Sequence, residues 1–449
     1  MAIGLNKSEI LGQDSIRASR PEHYSPPLPS SSETFTISYP GKLPESEILT
    51  PVYSKYLQLS LSNDQESNTP HPNGFIWGDN WFGLHSMIQT QKKAELIYLD
   101  PPYSTGFDFA SRKQEHAYND SLGQAAYIEF MRRRLILMRE LLDKNGSIYV
   151  HIGHQMVAEL KLVLDEIFGP QNFRNIISRR KCSSKNSTKR QYANLNDYIL
   201  FYTKSNNYIW NQPQKEATAE WIAKEYPKND ERGQYKLVPL HAPGVRNGAT
   251  GGPWRGMLPP EGKHWQYAPA TLEELDTTGH IHWSKNGNPR KKVYLTEKKG
   301  LRLSDYWEEY RDAHHQSVLI TGYPTEKNFD MMKMLVSASS NKGGLVIDPF
   351  AGSGSTLHAA DLLERNWIGM DESFLSAKTV VTRLLAGRQP MGDYVPRPNN
   401  MDLFGPVEIP NQIRHEARSN LFNVYIDSTI ANSYGGQVME LRQLLQSYS

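Results

Sequence analysis

One cysteine, Cys182, stands in a chain of 449 residues. That scarcity excludes a disulfide framework and any multi-cysteine zinc site. Long apolar runs are missing too: no uncharged stretch approaches the ~18 residues needed to cross a bilayer. The opening stretch from Met1 to Glu22 has no apolar segment of the kind a secretory leader needs. A cytoplasmic protein with no membrane partner is therefore expected. Excess charge of one sign is also absent, with 50 Lys and Arg against 48 Asp and Glu. Such a balance does not argue for a polyanionic partner, but it can hide a local basic stripe. At roughly 100–200 residues per domain, the length allows two or three domains.

What is present changes character along the chain. Residues 1–45 are polar, with Pro26, Pro27, Pro29 and Ser30 to Ser32 clustered, and predict a flexible or loosely docked arm. From Gly74 onward short apolar runs end in acids: Phe75-Ile76-Trp77 before Asp79, and Leu96-Ile97-Tyr98-Leu99 before Asp100. Buried parallel strands have this texture. Ile128, Met131, Leu135, Met138 and Leu142 recur at helical spacing, Asn145-Gly146 supplies a stop, and 147–152 reads as another strand. Val157, Leu160, Leu164 and Ile167 mark a second helix closed by Gly169-Pro170. Strands alternating with amphipathic helices predict an α/β sheet covered on both faces. Residues 46–204 form its first part. Residues 205–317 lose the pattern and predict an irregular inserted domain. The α/β pattern resumes over 318–392, with strands at Leu345–Asp348 and Trp367–Asp371, and 393–449 is an extension without a readable role.

Three clusters carry chemistry. Asp100-Pro101-Pro102-Tyr103 ends a buried strand, where two prolines enforce a stiff, non-helical turn. Open α/β sheets bind ligands at this carboxyl edge. A carboxylate, free carbonyls and an aromatic face suit a planar base with an exocyclic amine, although an ordinary strand-ending turn would look the same. Asp348-Pro349-Phe350-Ala351-Gly352-Ser353-Gly354 joins a strand to a helix through a Gly-rich turn that lets backbone amides approach a ligand. Asp371 follows at the end of the next strand, placed to accept from ribose hydroxyls. No Gly-Lys-Ser/Thr closes the loop, so a triphosphate site is not expected. Asp79 in Gly78-Asp79-Asn80 could accept from an adenine amino group or simply be solvated.

Taken together, these residues resemble the β-class amino-group DNA methyltransferases, close in pattern to the modification subunits of type III restriction systems. The catalytic motif Asp100 to Tyr103 precedes the Phe350 to Gly354 loop, with a recognition region between them, a circularly permuted order specific to that class. Supporting matches include Tyr306-Trp307, Tyr323 to Lys327 and Asn366 to Asp371, so the likeness covers roughly residues 74 to 385. Ser104, Asn328 and Ala351 depart from the usual residues without removing a needed group. The resemblance implies a Rossmann-like S-adenosylmethionine-dependent methyltransferase fold, with a mixed, mostly parallel sheet and an inserted target-recognition domain. It implies S-adenosylmethionine at Gly352, Ser353 and Gly354, with Asp371 on the ribose and Asp79 on the adenine amine. Asp348, Phe350, Ala351, Thr325 and Lys327 complete that pocket, Lys327 alternatively being a solvated lysine.

On the same basis Asp100 and the Pro101 carbonyl accept the target amine's hydrogens while Tyr103 stacks on an extruded base. Tyr192 or Tyr198 is a weaker candidate for its other face. Aspartate in the first motif position favours adenine N6, with cytosine N4 as the alternative. Carbon-5 chemistry would need a cysteine nucleophile, and Cys182 has no fitting context. Arg179, Arg180, Lys181, Lys185, Lys189 and Arg190 lie in a stretch whose only acid is Asp197, and suit the phosphates of double-stranded DNA unless they form a plain solvated face. Base reading falls to the insertion, where Arg246, Asn247, Arg255, Lys285, Asn286 and Arg290 are candidates. A homodimer and a restriction subunit are partners the family suggests. The pairs His151/His154 and His314/His315 lack the acidic company of a metal site, and no metal is assigned.

Overall fold

The apolar runs become the inner strands of one sheet. A computed structural model describes residues 36–60, 72–102, 108–110, 116–119, 123–182, 190–215, 219–295, 301–312, 319–321, 323, 326–390 and 422–448. Its central sheet has ten strands. In chain order these are β1 (Tyr56–Ser60), β2 (Gly74–Trp77), β3 (Ala94–Leu99), β4 (Leu142–Ile152) and β5 (Phe173–Arg180). There follow β6 (Asn196–Thr203), β7 (Tyr306–Trp307), β8 (Leu345–Asp348), β9 (Asn366–Asp371) and β10 (Asn423–Asp427). Across the sheet they run β1-β10-β2-β9-β8-β3-β4-β6-β5-β7. The neighbours from β10 to β4 are all parallel. β1 is antiparallel to β10, and β6 is antiparallel to both β4 and β5. The α/β sheet expected from the sequence is present, mostly parallel and mixed at its flanks.

Alternation along each strand divides the core between two faces. Leu96 and Tyr98 of β3 join a cluster under the helices Phe329–Ser339, Ser355–Leu362, Phe374–Ala386 and Gly435–Gln446. Ile97 and Leu99 join the opposite cluster under Asn80–Gln89, Gln124–Leu141 and Val157–Phe168. Leu160, Leu164 and Ile167 are buried as their spacing predicts, and each such side chain stabilises by about 1.5–3 kcal/mol. Gly169, at φ +86°, ends that helix in a conformation few other residues adopt. The helix Gln124–Leu141 stops before Asn145-Gly146, because Leu142 already turns extended and begins β4.

Several boundaries differ from the expected ones. Residues 36–45 of the arm dock on the sheet domain: Lys42 pairs with Glu166 at 2.6 Å, and Ile48 just beyond the arm is fully buried. Within the extension, β10 fills the slot between β1 and β2, so it completes the sheet. The insertion is regular: strands 228–230, 233–239, 289–294 and 281–283 form a four-stranded antiparallel sheet. Trp254, Trp265 and Leu272 give it a core of its own. Its flanks nevertheless return to the main body, since Trp210 stacks on Phe201 and Trp307 of β7 is buried in the main core. A two-residue strand leaves no periodicity to read. Among the described residues no helix is long and apolar enough to cross a membrane.

Candidate active site

Parallel neighbours bring their carboxyl ends to one edge. β2, β9, β8, β3 and β4 deliver Asp79, Asp371, Asp348, Asp100 and His151 side by side. The prolyl turn and the Gly-rich loop, far apart in sequence, follow adjacent strands, because Ile347 of β8 pairs with Ile97 of β3. Between them lies a cleft of about 880 Å³, its open mouth included. Asp100, Pro102 and Lys327 line one side, and Gly352, Ser353, Asp371 and Asp79 the other.

The loop is shaped by two left-handed glycines, Gly352 at φ +48° and Gly354 at φ +71°. A Cβ on Gly352 would sit 3.3 Å from the Tyr323 ring, and one on Gly354 would sit 2.9 Å from Val380 Cγ2. Asp371 secures the turn, accepting the N–H groups of Gly352 and Ser373 at 2.9 Å each. Burial pushes its carboxyl up to about 6, with those two N–H groups opposing the rise. Asp348 lies deeper and accepts the Phe350 N–H at 3.1 Å. Burial raises it to about 7, assisted by the charges of Asp100 and Asp371 and opposed by Thr356 and the Phe350 N–H.

At the far end of the cleft Asp79 caps the helix Asn80–Gln89, accepting from Trp81 N–H at 2.8 Å. Asn80 donates to the Pro349 carbonyl at 2.7 Å and so ties this helix to the Gly-rich loop. Arg134, which the sequence reading missed, donates to Asp79 at 2.8 Å and lies over the Phe130 ring at 3.6 Å. An arginine on the buried stripe of a helix is the signal that could have found it. Glu372 is raised above the usual carboxylate range by burial and by Asp79, with Arg134 opposing.

On the other side Lys327 Nζ meets Asp100 Oδ2 at 2.9 Å. The structure thus places Lys327 beside the prolyl turn, in the lining of the cleft it shares with the Gly-rich loop. Its neighbour Glu326 is buried and pairs with Arg383 at 2.8 Å, while accepting the Thr321 N–H at 2.6 Å. Arg383 also reaches the Ser353 carbonyl at 3.3 Å, which ties Glu326 to the loop. Tyr103 and Thr325 lie outside the described residues.

The basic stretch is divided by strand alternation. Ile177 and Arg179 of β5 point inward, and Arg179 is fully buried. It donates to the Tyr310 carbonyl at 2.7 Å, pairs with Asp312, and faces Asp197 at 3.6 Å. Arg179 therefore has no surface to offer a phosphate, which corrects the expectation for this residue. Lys181 pairs with Asp197 at 2.6 Å and Arg180 with Glu308, while Arg190 is exposed. Lys185 and Lys189 lie outside the described residues. In the insertion Arg255 is engaged by Glu273 and Asp276, whereas Arg246, Asn247, Lys285, Asn286 and Arg290 are exposed. Tyr192 is exposed and Tyr198 is half-buried.

A sheet edge that unites a prolyl turn, a Gly-rich loop and three strand-end acids is the layout of a methylase, and a DNA methylase family model (N6_N4_Mtase) matches residues 94–377. The chain belongs to this family of DNA methyltransferases acting on amino groups. Its methyl donor is S-adenosylmethionine. It is 60% identical over 443 residues to the type II methyltransferase M.EcaI of Enterobacter cloacae, covering 99% of this chain and 98% of that protein. It is 29% identical over 341 residues to the StyLTI Mod subunit of a type III restriction-modification enzyme from Salmonella typhimurium, covering 66% of this chain and 51% of that protein. The EcoP15I Mod subunit of Escherichia coli is 24% identical over 401 residues, covering 73% of this chain and 62% of that protein.

The residues present fit the donor. Asp371 and Asp79 supply acceptors at the two ends of a cradle that a Cβ at Gly352 would narrow against Tyr323. The Phe130 and Phe350 rings, centroids 6.2 Å apart, offer apolar faces near Asp79 and Arg134. Arg134→Ala should raise the donor's dissociation constant about tenfold, roughly the ~1.4 kcal/mol that one charge-assisted contact supplies. Titration calorimetry on the folded variant measures this.

Proposed function

We propose that the protein is a site-specific DNA methyltransferase that modifies the N6 amino group of adenine in a base extruded from double-stranded DNA. The observation that carries this reading is the adjacency of the Asp100 turn and the Gly352–Gly354 loop across one cleft. S-Adenosylmethionine supplies an electrophilic methyl group when bound, with Gly352, Ser353 and Gly354 along its backbone, Asp371 at the ribose and Asp79 at the adenine. Phe350 and Ala351 complete the wall, with Asp348 beneath it.

An exocyclic base amine is a poor nucleophile because its lone pair is delocalised into the ring. Accepting both hydrogens, one at Asp100 and one at the Pro101 carbonyl, turns the lone pair toward the methyl group. Most of the rate enhancement then comes from positioning and fixed dipoles in a pocket shielded from water. Lys327 now holds the Asp100 oxygen that this role requires, so it must yield Oδ2 when the base enters. Tyr103 stacks on that base. Arg180, Lys181 and Arg190 supply phosphate contacts at the rim, together with Lys185 and Lys189, and the exposed groups of the insertion read sequence. A homodimer, a companion restriction subunit and a cytoplasmic setting belong to the same proposal.

The choice of adenine rests on the aspartate at position 100, where relatives acting on cytosine N4 more often carry serine. Methylated DNA digested to nucleosides and resolved by mass spectrometry should contain N6-methyladenine. N4-methylcytosine in its place would overturn the base assignment and leave the amino-group chemistry standing.

A further inference from the structure

Behind Asp100 the strands bury a line of polar groups that methyl transfer, as described so far, does not use. His151 of β4 is fully buried. Its Nδ1 lies 2.8 Å from the Tyr98 hydroxyl and 3.9 Å from Asp100 Oδ1, and its Nε2 faces Asp197 Oδ2 at 3.7 Å. Asp197 is itself nearly inaccessible, with Lys181 at 2.6 Å and Arg179 at 3.6 Å, and Arg179 is anchored by Tyr310 and Asp312. These ties fix Asp197 on the Nε2 side of the ring, 3.7 Å away, where its charge favours a hydrogen on Nε2 and so the tautomer whose Nδ1 accepts from Tyr98. Burying several charges is costly unless they are paired, so this arrangement calls for an explanation beyond packing.

We propose that His151, oriented by Asp197, receives the proton that Asp100 takes from the methylated amine. This rests on the reading of Asp100 as the acceptor of the amine's hydrogens. The bookkeeping is simple: an N–H bond of the cationic product amine breaks as an O–H bond forms at Asp100. Once the carboxyl has turned that hydrogen toward the imidazole and the Tyr98 hydroxyl has released Nδ1, the O–H bond breaks as an N–H bond forms at His151 Nδ1, and the charge appears beside Asp197. Base and donor would fill the cleft on one side of Asp100, and an imidazole stands on the other. The present 3.9 Å separation is long for transfer, as catalytic contacts often are before substrates assemble. Lys327 pulls the carboxylate the other way until it yields Oδ2.

The groups facing His151 also set its readiness. Burial and the charges of Lys327 and Arg179 hold its pKa below the usual imidazole value, while Asp197 and Asp100 work against them. It is therefore neutral and able to accept near pH 7, and protonated beforehand, hence blocked, at lower pH.

The test is the pH profile of single-turnover transfer on a duplex substrate, read with His151→Gln, Asp197→Asn and Tyr98→Phe. His151→Gln should lower the rate about a hundredfold, the lower end of general acid–base contributions, with donor affinity unchanged and the acid limb lost. Asp197→Asn removes a charge that favours the imidazolium, so the acid limb should move to lower pH. Tyr98→Phe removes a donor that favours the neutral ring, so the limb should move to higher pH. NMR of histidine-labelled protein without donor or DNA should show the His151 ring titrating, with the same opposite displacements. Unchanged rate and limb in His151→Gln, or displacements of one sign in both other variants, would overturn the proposal. Should His151→Gln fail to fold, the Tyr98→Phe profile and the NMR titration still decide it. An Asp100→Ala variant that still methylates would sink the reading of the site itself, a result distinct from either.

Discussion

Asp100→Ala should lower methyl transfer about a thousandfold or more while changing donor affinity by less than about threefold, since losing a single preorganised hydrogen-bonding group at a reacting centre typically costs 10²–10³. The split follows from geometry. Asp100 ends β3 on the Lys327 side of the cleft, whereas the loop glycines and Asp371 hang from β8 and β9. Removing the carboxylate strips the amine of an acceptor and leaves the donor's cradle in place. Single-turnover incorporation of labelled methyl groups gives the rate, and calorimetry gives the affinity. Loss of donor binding with transfer retained at saturating donor would assign Asp100 to the wrong wall. Because Lys327 loses its partner in this variant, Asp100→Asn is the companion, and it should lose transfer with less disturbance of the fold.

The second large effect concerns stability. Asp348 is buried with its carboxyl raised to about 7, so the folded protein binds a proton there more tightly than the unfolded chain does. The sign follows from linkage: stability from this group is fully present below the unfolded carboxyl value near 4 and is lost as pH rises through 7. At pH 8.5 the folded state carries a buried, unwelcome charge. Asp348→Asn removes it while keeping an oxygen for the Phe350 N–H. The variant should then be more stable than the parent by about 2–4 kcal/mol at pH 8.5, with the difference shrinking through the acid range and vanishing only below about pH 4. Urea denaturation at several pH values measures this, and a variant equally destabilised at every pH would contradict the argument. Asp371, raised to about 6, should add a weaker dependence of the same sign over a lower range.

What could be read beforehand was whatever one strand or one loop spells out locally. Leu96 to Leu99 announces a buried strand and the two prolines its end, while Gly352 and Gly354 announce a turn that other residues resist. The proximity of the two motifs came from family resemblance, and pairing of β8 with β3 places them side by side. What stayed hidden was the partner of each charge. Arg179 reads as one cation in a basic run, and only its alternation with Ile177 hints that it faces inward. Arg134 is the third of three consecutive arginines, and its place on the buried stripe of the helix is the one signal that run offers. Asp197 looked like a lone acid diluting a basic patch, yet Lys181 and Arg179 converge on it. His151 in its own segment suggests nothing beyond a metal ligand, because its neighbours in space come from β3 and β6. Such pairings are properties of the sheet order and are absent from any single window.

The placement of β10 has a consequence for biosynthesis. As the chain leaves the ribosome, β2 and the Asp79 it carries appear early, but their outer neighbour Asn423–Asp427 emerges only after the insertion and the Gly-rich loop. Until then β2 presents a bare hydrogen-bonding edge, open to mispairing, and closing so distant a contact is slow. Gly78 packs so closely on Asp427 that an added Cβ would stand 3.0 Å away, which makes the late strand a buttress for the donor end of the cleft. Nascent polypeptides are thus expected to modify nothing, competence arriving only when the last strand slots home.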